Sequence, residues 1–312
     1  MAKLSNRLQR LAPSATLAMS QKSSEMKAQG IDVINMSVGE PDFNTPDAIK
    51  AAAKQAIDDN WSRYSPVPGY PSLRKAIVEK LKNENGLEFK ETQISVSNGA
   101  KQAVCNAIMA LVNPGDEVIV PAPYWVSYPD MVKLADGTPV IVSAGIEQNF
   151  KITGAQLEAA ITPKTKLLVL PFPNNPTGAI MEREDIEKLY EVLKDTNIIV
   201  LSDEIYSELV YNGHEHVSFA ALPGMKERTI TLNGFSKAFS MTGWRVGYLA
   251  APKDVAKAID SFQSHATSNA CSISQYATIE ALHSPEEEIE YIERGKKATA
   301  HHRSVQFTRE AR

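Results

Sequence analysis

Short apolar segments alternate with longer helical ones from about residue 94 onward. The apolar segments, rich in valine, isoleucine and leucine, comprise residues 94–96, 117–120, 139–142, 166–170, 197–201, 229–232 and 246–250. Short β-branched segments separated by helical ones predict strand–helix–strand units and a mostly parallel sheet, hence an α/β fold. Because these segments are apolar at consecutive positions, we expect helices on both faces of that sheet.

The two ends of the chain have different patterns. Residues 16–29 are typical of an amphipathic helix, and a further helix is predicted at about 46–58, after two proline-containing turns. The sequence becomes charge-rich from about residue 284. We expect one large α/β domain over residues 46–284 and an incomplete small domain built from residues 1–45 and 285–312.

Composition and charge exclude several classes of protein. The chain has 312 residues, 43% of them hydrophobic, and a formal net charge of −4, so no basic field favours nucleic acid or membrane lipid. No apolar stretch of about 18 residues occurs, and the N-terminus lacks the apolar core of a secretory signal. Two cysteines cannot make a disulfide framework, so a reducing cytoplasm is the expected location.

The six histidines are dispersed along the chain. His214 and His216 flank one residue in a polar turn, and no third ligand type accompanies them. Solvent-exposed histidines are therefore expected, and no metal site.

Most of the unusual polar residues follow the carboxyl ends of predicted strands. Lys237 follows the segment 229–232, Asp203 follows 197–201, and an Asn-Asn-Pro-Thr-Gly turn follows 166–170. In open α/β sheets, ligands bind beyond the carboxyl ends of the strands. We therefore expect these residues to meet at one edge of the sheet.

Lys237 has Phe235, Phe239 and Trp244 as sequence neighbours. An apolar environment makes a charged amine costly and lowers its pKa, and the neutral amine can attack an aldehyde. Ser236 and Arg245 add a hydroxyl and a guanidinium, a pairing suited to phosphate. Considered alone, a strand-end lysine that extends its charge to solvent is the commoner case.

Asp203 could pair with a protonated heterocyclic nitrogen, and Tyr206 could bond a ring substituent. A lysine together with such an acid is what pyridoxal phosphate chemistry requires. Each residue also has a plain structural explanation. Asp203 could cap a helix, the turn carrying Asn174 or Asn175 could be only a turn, and Trp125 could be a core side chain rather than a stacking surface.

The segment from Ser97 to Lys101 opens a predicted helix, whose first amides form an anion site. No Gly-x-Gly-x-x-Gly pattern supports nucleotide binding. Lys101 opposes the helix dipole at a cost of a few tenths of a kcal/mol or more. We expect a negative group nearby to offset that cost.

Several motifs resemble those of class I, fold-type I, pyridoxal-phosphate-dependent aminotransferases. They are Asn-Asn-Pro-Thr-Gly, Ser-Asp-Glu-Ile-Tyr and Ser-Lys-Ala-Phe-Ser-Met-Thr-Gly-Trp-Arg-Val-Gly-Tyr, in this order. Val-Gly-Glu-Pro-Asp-Phe, Arg-Tyr-Ser-Pro-Val-Pro-Gly and Ala-Pro-Tyr-Trp-Val-Ser-Tyr-Pro are similar to the bacterial aspartate aminotransferase branch. The resemblance covers about residues 3–290.

The resemblance implies a role for each matching residue. Lys237 is the catalytic lysine, which is linked to the cofactor and moves the substrate proton. The residues implied in cofactor binding are Tyr64, Gly99, Ala100, Trp125, Asn175, Asp203, Tyr206, Ser236, Lys237 and Arg245. The residues implied in substrate binding are Gly39, Lys101, Trp125 and Asn175. Tyr64 matches a residue that reaches the phosphate of the neighbouring subunit, which implies a homodimer. Lys101 matches a lysine that binds the distal carboxylate of dicarboxylic substrates.

The implied activity is transfer of an amino group from an amino acid, aspartate or another dicarboxylic one, to 2-oxoglutarate. One departure is that no residue matches the family's C-terminal arginine for the substrate α-carboxylate, and the sequence departs from the family pattern after Arg294. The chain is therefore expected to be truncated. Two alternatives stay open, a homologue that binds pyridoxal phosphate with weak or no catalysis and a β-lyase, and Lys101 disfavours the lyase.

Overall fold

A computed structural model describes residues 5–11, 13, 15–35, 39–41, 43–211, 213–283 and 293. Of the expected small domain, the segment 285–312 lies outside the described residues apart from residue 293. The division of the chain into two domains stays a prediction.

Seven strands form one sheet. They are β1 (Ile94–Ser97), β2 (Glu117–Ala122), β3 (Thr138–Ser143), β4 (Thr165–Leu170), β5 (Ile199–Asp203), β6 (Thr229–Gly234) and β7 (Gly247–Ala250). Their order is β1-β7-β6-β5-β4-β2-β3, and only β7 runs antiparallel to its neighbours. The predicted, mostly parallel sheet is confirmed. All the strands except β7 therefore end at the same edge.

Helices connect and flank the strands. The α-helices are α1 (Asn6–Gln9), α2 (Ala15–Ala28), α3 (Asp47–Asp58), α4 (Pro71–Asn85), α5 (Ala100–Leu111), α6 (Ser127–Leu134), α7 (Gly154–Ala160), α8 (Arg183–Leu193), α9 (Lys253–Ala266) and α10 (Ser272–His283). Single 3-10 turns occupy Glu91–Gln93, Ile146–Gln148, Phe219–Ala221, Lys226–Arg228 and Thr242–Trp244.

The sheet is covered on both faces, as its consecutive apolar positions predicted. Along β4, Leu167 and Val169 pack into a core with α5, α6 and α9, while Leu168 and Leu170 pack into a core with α7 and α8. This alternation follows from side chains that point to opposite faces of a strand in turn. A third core joins α3, α4 and α10 to β1 and β7.

A buried glutamine connects three parts of the fold near the end of β1. Gln263 of α9 is 1% exposed, and its Nε2 donates to the carbonyl oxygens of Val67 and Val96, both at 2.8 Å. Its Oε1 accepts a bond of 2.9 Å from Asn106 of α5. The side chain thereby satisfies polar groups that lie away from water, as buried polar groups require.

We predict that Gln263→Leu lowers the free energy of unfolding by about 2–4 kcal/mol, because buried carbonyl and amide groups lose their partners. Urea denaturation measures the change. The control is Gln29→Leu, at an exposed turn after α2. Equal unfolding free energies for the two variants would contradict the role assigned to Gln263.

Candidate active site

Lys237 lies in the turn that follows β6. Its Nζ donates a hydrogen bond to the Gly39 carbonyl and lies 5.7 Å from the centroid of the Tyr206 ring. Burial lowers the pKa of Lys237, and its net shift stays downward although the charge of Glu40 opposes it; the charge of Arg245 adds to the lowering. The lowered pKa predicted from the sequence is confirmed, so the neutral amine is more accessible here than in water.

The segment around Gly39 is bonded to the loop that carries Lys237. Thr242 Oγ1 donates to Glu40 Oε1 at 2.7 Å, and Thr45 Oγ1 donates to the Ser240 carbonyl at 2.7 Å. Trp244 Nε1 donates in turn to Thr45 Oγ1 at 3.2 Å. These contacts place the segment beside the lysine.

Asp203 ends β5 as a buried carboxylate. Tyr128 donates its hydroxyl to Asp203 Oδ2 at 2.7 Å, and the Ile205 amide donates to Oδ1 at 3.3 Å. Burial raises the pKa of Asp203 to about 6, although both hydrogen bonds lower it, and the neighbouring Glu204 raises it further. No α-helix begins in residues 204–211, all of which the structure describes, so the helix-cap alternative is wrong. Asp203 forms no ion pair with a described residue.

The two asparagines of the turn after β4 have different surroundings. Asn174 is buried and holds the turn together: its Nδ2 donates to the Pro123 carbonyl at 3.1 Å, and its Oδ1 accepts from Thr177 Oγ1 at 2.8 Å. Asn175 is half-buried, and its Nδ2 donates to the Tyr206 hydroxyl at 3.3 Å. Both asparagines line the cleft, and Asn175 is the one whose side chain bonds to Tyr206.

Two glycines allow β7 and the Arg245 side chain to approach the start of α5. Gly99 has a φ of +79°, and an added Cβ would lie 2.2 Å from Arg245 Nη2. A Cβ on Gly247 would lie 2.4 Å from the Ala100 amide nitrogen. Arg245 also has a left-handed backbone (φ 54°), and its guanidinium donates to the Thr242 and Asn98 carbonyls. A guanidinium thus lies beside the first amides of a helix, which have no partner within the helix.

Lys101 and Trp125 lie together beside this helix start. The Nζ of Lys101 is 4.7 Å from the Trp125 ring centroid, and the Trp125 ring meets Tyr128 edge-on at 5.2 Å. Burial lowers the pKa of Lys101, and the charge of Arg245 lowers it further. No described carboxylate forms an ion pair with Lys101. The negative group predicted from the helix dipole is therefore not supplied by this part of the chain.

A cleft of about 700 Å³ brings several of the predicted residues together. Its lining includes Gly39, Asn175, Tyr206 and Lys237. Asp203 is not among the residues that line it, and its carboxylate is bonded to Tyr128. Ser236 is buried in the turn next to Lys237. Tyr64 is 91% exposed and is not brought into this cleft by its own chain.

The sequence interpretation missed two features of the site. Tyr128 lies within the quoted Ala-Pro-Tyr-Trp-Val-Ser-Tyr-Pro motif but was given no role, because a tyrosine in a predicted helical segment has the pattern of a core residue. The expectation of exposed histidines holds for His214 but is wrong for His216, whose side chain is only 12% exposed and pairs with Glu204. His301 and His302 lie outside the described residues. Among the residues described, no three metal-binding side chains come together, and no helix is long and apolar enough to cross a membrane.

Comparison with known proteins identifies the family. The model of the family described as "Aminotransferase class I and II" matches residues 31–310. An aspartate/prephenate aminotransferase of Cereibacter sphaeroides is 52% identical over 289 residues, which are 92% of this chain and 72% of that protein. An aspartate aminotransferase of a Bacillus species is 49% identical over 288 residues, covering 92% of this chain and 74% of that protein.

Comparison with solved structures points to the same family. The structure of Thermus thermophilus aspartate aminotransferase with maleate superposes with a TM-score of 0.95 at 42% identity, covering 99% of this chain and 80% of that one. The chain belongs to the aminotransferase class I and II family and is an enzyme of the aminotransferase type. The family match extends to residue 310, beyond the limit of about 290 expected from the motifs.

We predict that Asp203→Asn stabilises the cofactor-free protein at neutral pH. The folded-state pKa of about 6 lies above the ordinary value of 3.8, so the folded protein holds the proton more tightly. The stability contributed by Asp203 is therefore present below pH 4 and is lost as pH rises through about 6. One pKa unit corresponds to about 1.4 kcal/mol, so the variant gains up to about 3 kcal/mol at pH 8.

Urea denaturation at several pH values measures this difference, which should disappear below about pH 4. Asp58→Asn, at the exposed end of α3, is the control. A variant that is less stable than the parent at pH 8 would show that the buried carboxylate is not under this constraint.

Proposed function

We propose that this chain is a pyridoxal-phosphate-dependent aminotransferase that exchanges the amino group between aspartate, or another dicarboxylic amino acid, and 2-oxoglutarate. The proposal rests on two groups that lie at the ends of neighbouring strands. A lysine with a lowered pKa follows β6, and a buried carboxylate without an ion pair ends β5. Members of this family depend on pyridoxal phosphate, and these two groups are the ones its chemistry requires.

The residues present fit the cofactor at both ends. The Asp203 carboxylate is buried without a cation partner among the described residues, and a protonated ring nitrogen would supply that partner. At the other end, the Arg245 guanidinium lies against Gly99 at the start of α5, where there is no room for a Cβ, and Ser236 is buried in the turn next to Lys237. Guanidinium, hydroxyl and helix-start amides together form a phosphate site. Trp125 would stack on the ring, and Tyr206 and Asn175 would donate to its oxygen.

Bound pyridoxal phosphate supplies an electron sink for the bonds at the substrate Cα. Lys237 Nζ, whose pKa is lowered by burial, would accept the proton from Cα and return it. Tyr128 holds Asp203 in place through its 2.7 Å hydrogen bond. Gly39 accepts a bond from Lys237, which directs the amine into the cleft that would receive the amino acid.

Lys101 supports a dicarboxylic substrate. The positive charge of Lys101 lies close to that of Arg245. Neither side chain forms an ion pair with a carboxylate among the described residues. A substrate carboxylate near Lys101 would relieve this repulsion. Two of the relatives named above are aspartate or aspartate/prephenate aminotransferases, and the Thermus structure contains maleate, a dicarboxylate.

Tyr64 supports a homodimer. Its side chain is almost fully exposed, while the backbone beside it is held by Ser272, whose hydroxyl donates to the Arg63 carbonyl at 2.7 Å. A firmly held backbone with an exposed tyrosine is suited to contact a second copy of the chain. We infer that Tyr64 reaches the phosphate site of the partner subunit.

We predict that borohydride reduction fixes the cofactor to Lys237 and to no other lysine. Peptide mapping by mass spectrometry locates the adduct. Lys237→Ala should still bind pyridoxal phosphate through Arg245 and Ser236, but its turnover should fall by at least about 100-fold, since the proton-transfer group is lost. An adduct on another lysine would contradict the assignment.

We predict that Lys101→Ala lowers kcat/KM for aspartate and glutamate by roughly 10- to 150-fold, equivalent to about 1.5–3 kcal/mol for a hydrogen bond to a charged group. Neutral amino acids should lose much less. Lys257→Ala, on the exposed face of α9, is the control. An equal loss for acidic and neutral substrates would indicate damage to the phosphate site instead.

A further inference from the structure

A buried glutamate lies directly behind the site without a part in the proposed chemistry. Glu204 is 1% exposed. Its Oε1 accepts hydrogen bonds from Ser202 Oγ at 2.9 Å and from Ser218 Oγ at 2.7 Å. Its Oε2 lies 3.0 Å from His216 Nε2. Burial of a carboxylate costs several kcal/mol unless it is paired and hydrogen-bonded, and Glu204 meets both conditions here.

The backbone of Glu204 forms hydrogen bonds at the turn that follows Asp203 and contains Tyr206. Its N–H donates to the Leu232 carbonyl at 2.8 Å, which extends the pairing of β5 with β6 beyond Asp203. Its carbonyl accepts from the Ser207 amide at 2.9 Å. Asp203 and Tyr206 therefore lie on either side of a turn that is anchored at Glu204.

The side chain of Glu204 connects this turn to a second segment. We call residues 209–218, leaving aside residue 212, the wall segment. Three of its residues, Leu209, Tyr211 and His214, line the cleft, and two others, His216 and Ser218, bond to Glu204. One carboxylate thus joins the wall of the cleft to the end of the strand that carries Asp203.

The contact with His216 depends on charge. Burial lowers the pKa of His216, but the charge of Glu204, the hydrogen bond to it and the charge of Glu208 outweigh burial and raise that pKa. The other titratable groups around the pair are Asp203, Tyr248 and, beyond Glu208, Lys80 and Glu84 of α4. Protonated His216 therefore offsets part of the negative charge gathered behind the site.

We propose that Glu204 and His216 are positioning residues whose ion pair fixes the wall segment to the end of β5 and so holds Asp203 and Tyr206 in place for the cofactor. This inference rests on the proposed function. Because His216 is more easily protonated in the folded protein, the stabilisation is fully present below its ordinary pKa and is lost as pH rises through the raised value. Cofactor affinity should decrease over the same interval.

The pair can be tested first in the protein without cofactor. Imidazole resonances followed by NMR should show His216 titrating above the ordinary pKa of histidine. Glu204→Gln keeps an acceptor for both serines but removes the charge, so it should lower the titration midpoint of His216. An unchanged midpoint for His216 would overturn the ion pair.

The second test measures pyridoxal phosphate affinity between about pH 6 and pH 9 by quenching of tryptophan fluorescence. The parent protein should lose about 5- to 10-fold more affinity over this range than His216→Gln, whose amide donates to Glu204 without titrating. His216→Leu, which has no donor, should bind weakly at every pH. His265→Gln, at the exposed end of α9, is the matched control and should keep the pH dependence of the parent, since the titration of the cofactor itself is common to all variants.

If the affinity of the parent and of His216→Gln for pyridoxal phosphate depends identically on pH, this inference is wrong, whatever the stability of the variants. The proposed function would not be affected by that result. Absence of binding by the parent protein at every pH would overturn the proposed function and this inference with it. A purely structural role for His216 would lower the unfolding temperature of both variants without separating their pH curves, and that result would also contradict the proposal.

Discussion

Asp203 keeps a carboxylate away from water at the end of β5, and much of the surrounding structure can be understood from the cost of that burial. Tyr128 and the Ile205 amide donate to it, yet its pKa stays raised to about 6 because these bonds do not replace hydration. A bound cation is what would complete the environment. In the function that we propose, a protonated ring nitrogen of the cofactor would be that partner.

Burial also shifts the pKa of two lysines of the site, in the direction that disfavours their positive charge. Lys237 and Lys101 both have lowered pKa values, with burial as the first cause and the charge of Arg245 as a further one. No described carboxylate forms an ion pair with Lys101 or Arg245. Lys237 follows β6, Arg245 precedes β7 and Lys101 lies in the first turn of α5, so each is fixed by its own element and an anionic ligand would neutralise them without a rearrangement.

The sheet and the edge that carries the site could be predicted from the sequence, because valine- and leucine-rich segments mark buried parallel strands and because their carboxyl ends must coincide. The residue pattern alone left Asn174 and Asn175 open, and only the family resemblance selected Asn175. Their difference arises from a contact with the carbonyl of Pro123, which lies far away along the chain. His216 was expected to be exposed because its neighbours are polar, and only the folded chain brings the buried Glu204 to it.

The exchange of an amino group between two acids is the central claim, and transfer of labelled nitrogen tests it most directly. The protein loaded with pyridoxal phosphate is incubated with unlabelled 2-oxoglutarate and with aspartate that carries a heavy nitrogen isotope, and the products are identified by mass spectrometry. The account predicts that the label appears in glutamate, with one oxaloacetate formed for each glutamate. Label released as ammonium, as a lyase would give, or label retained wholly in aspartate would contradict it.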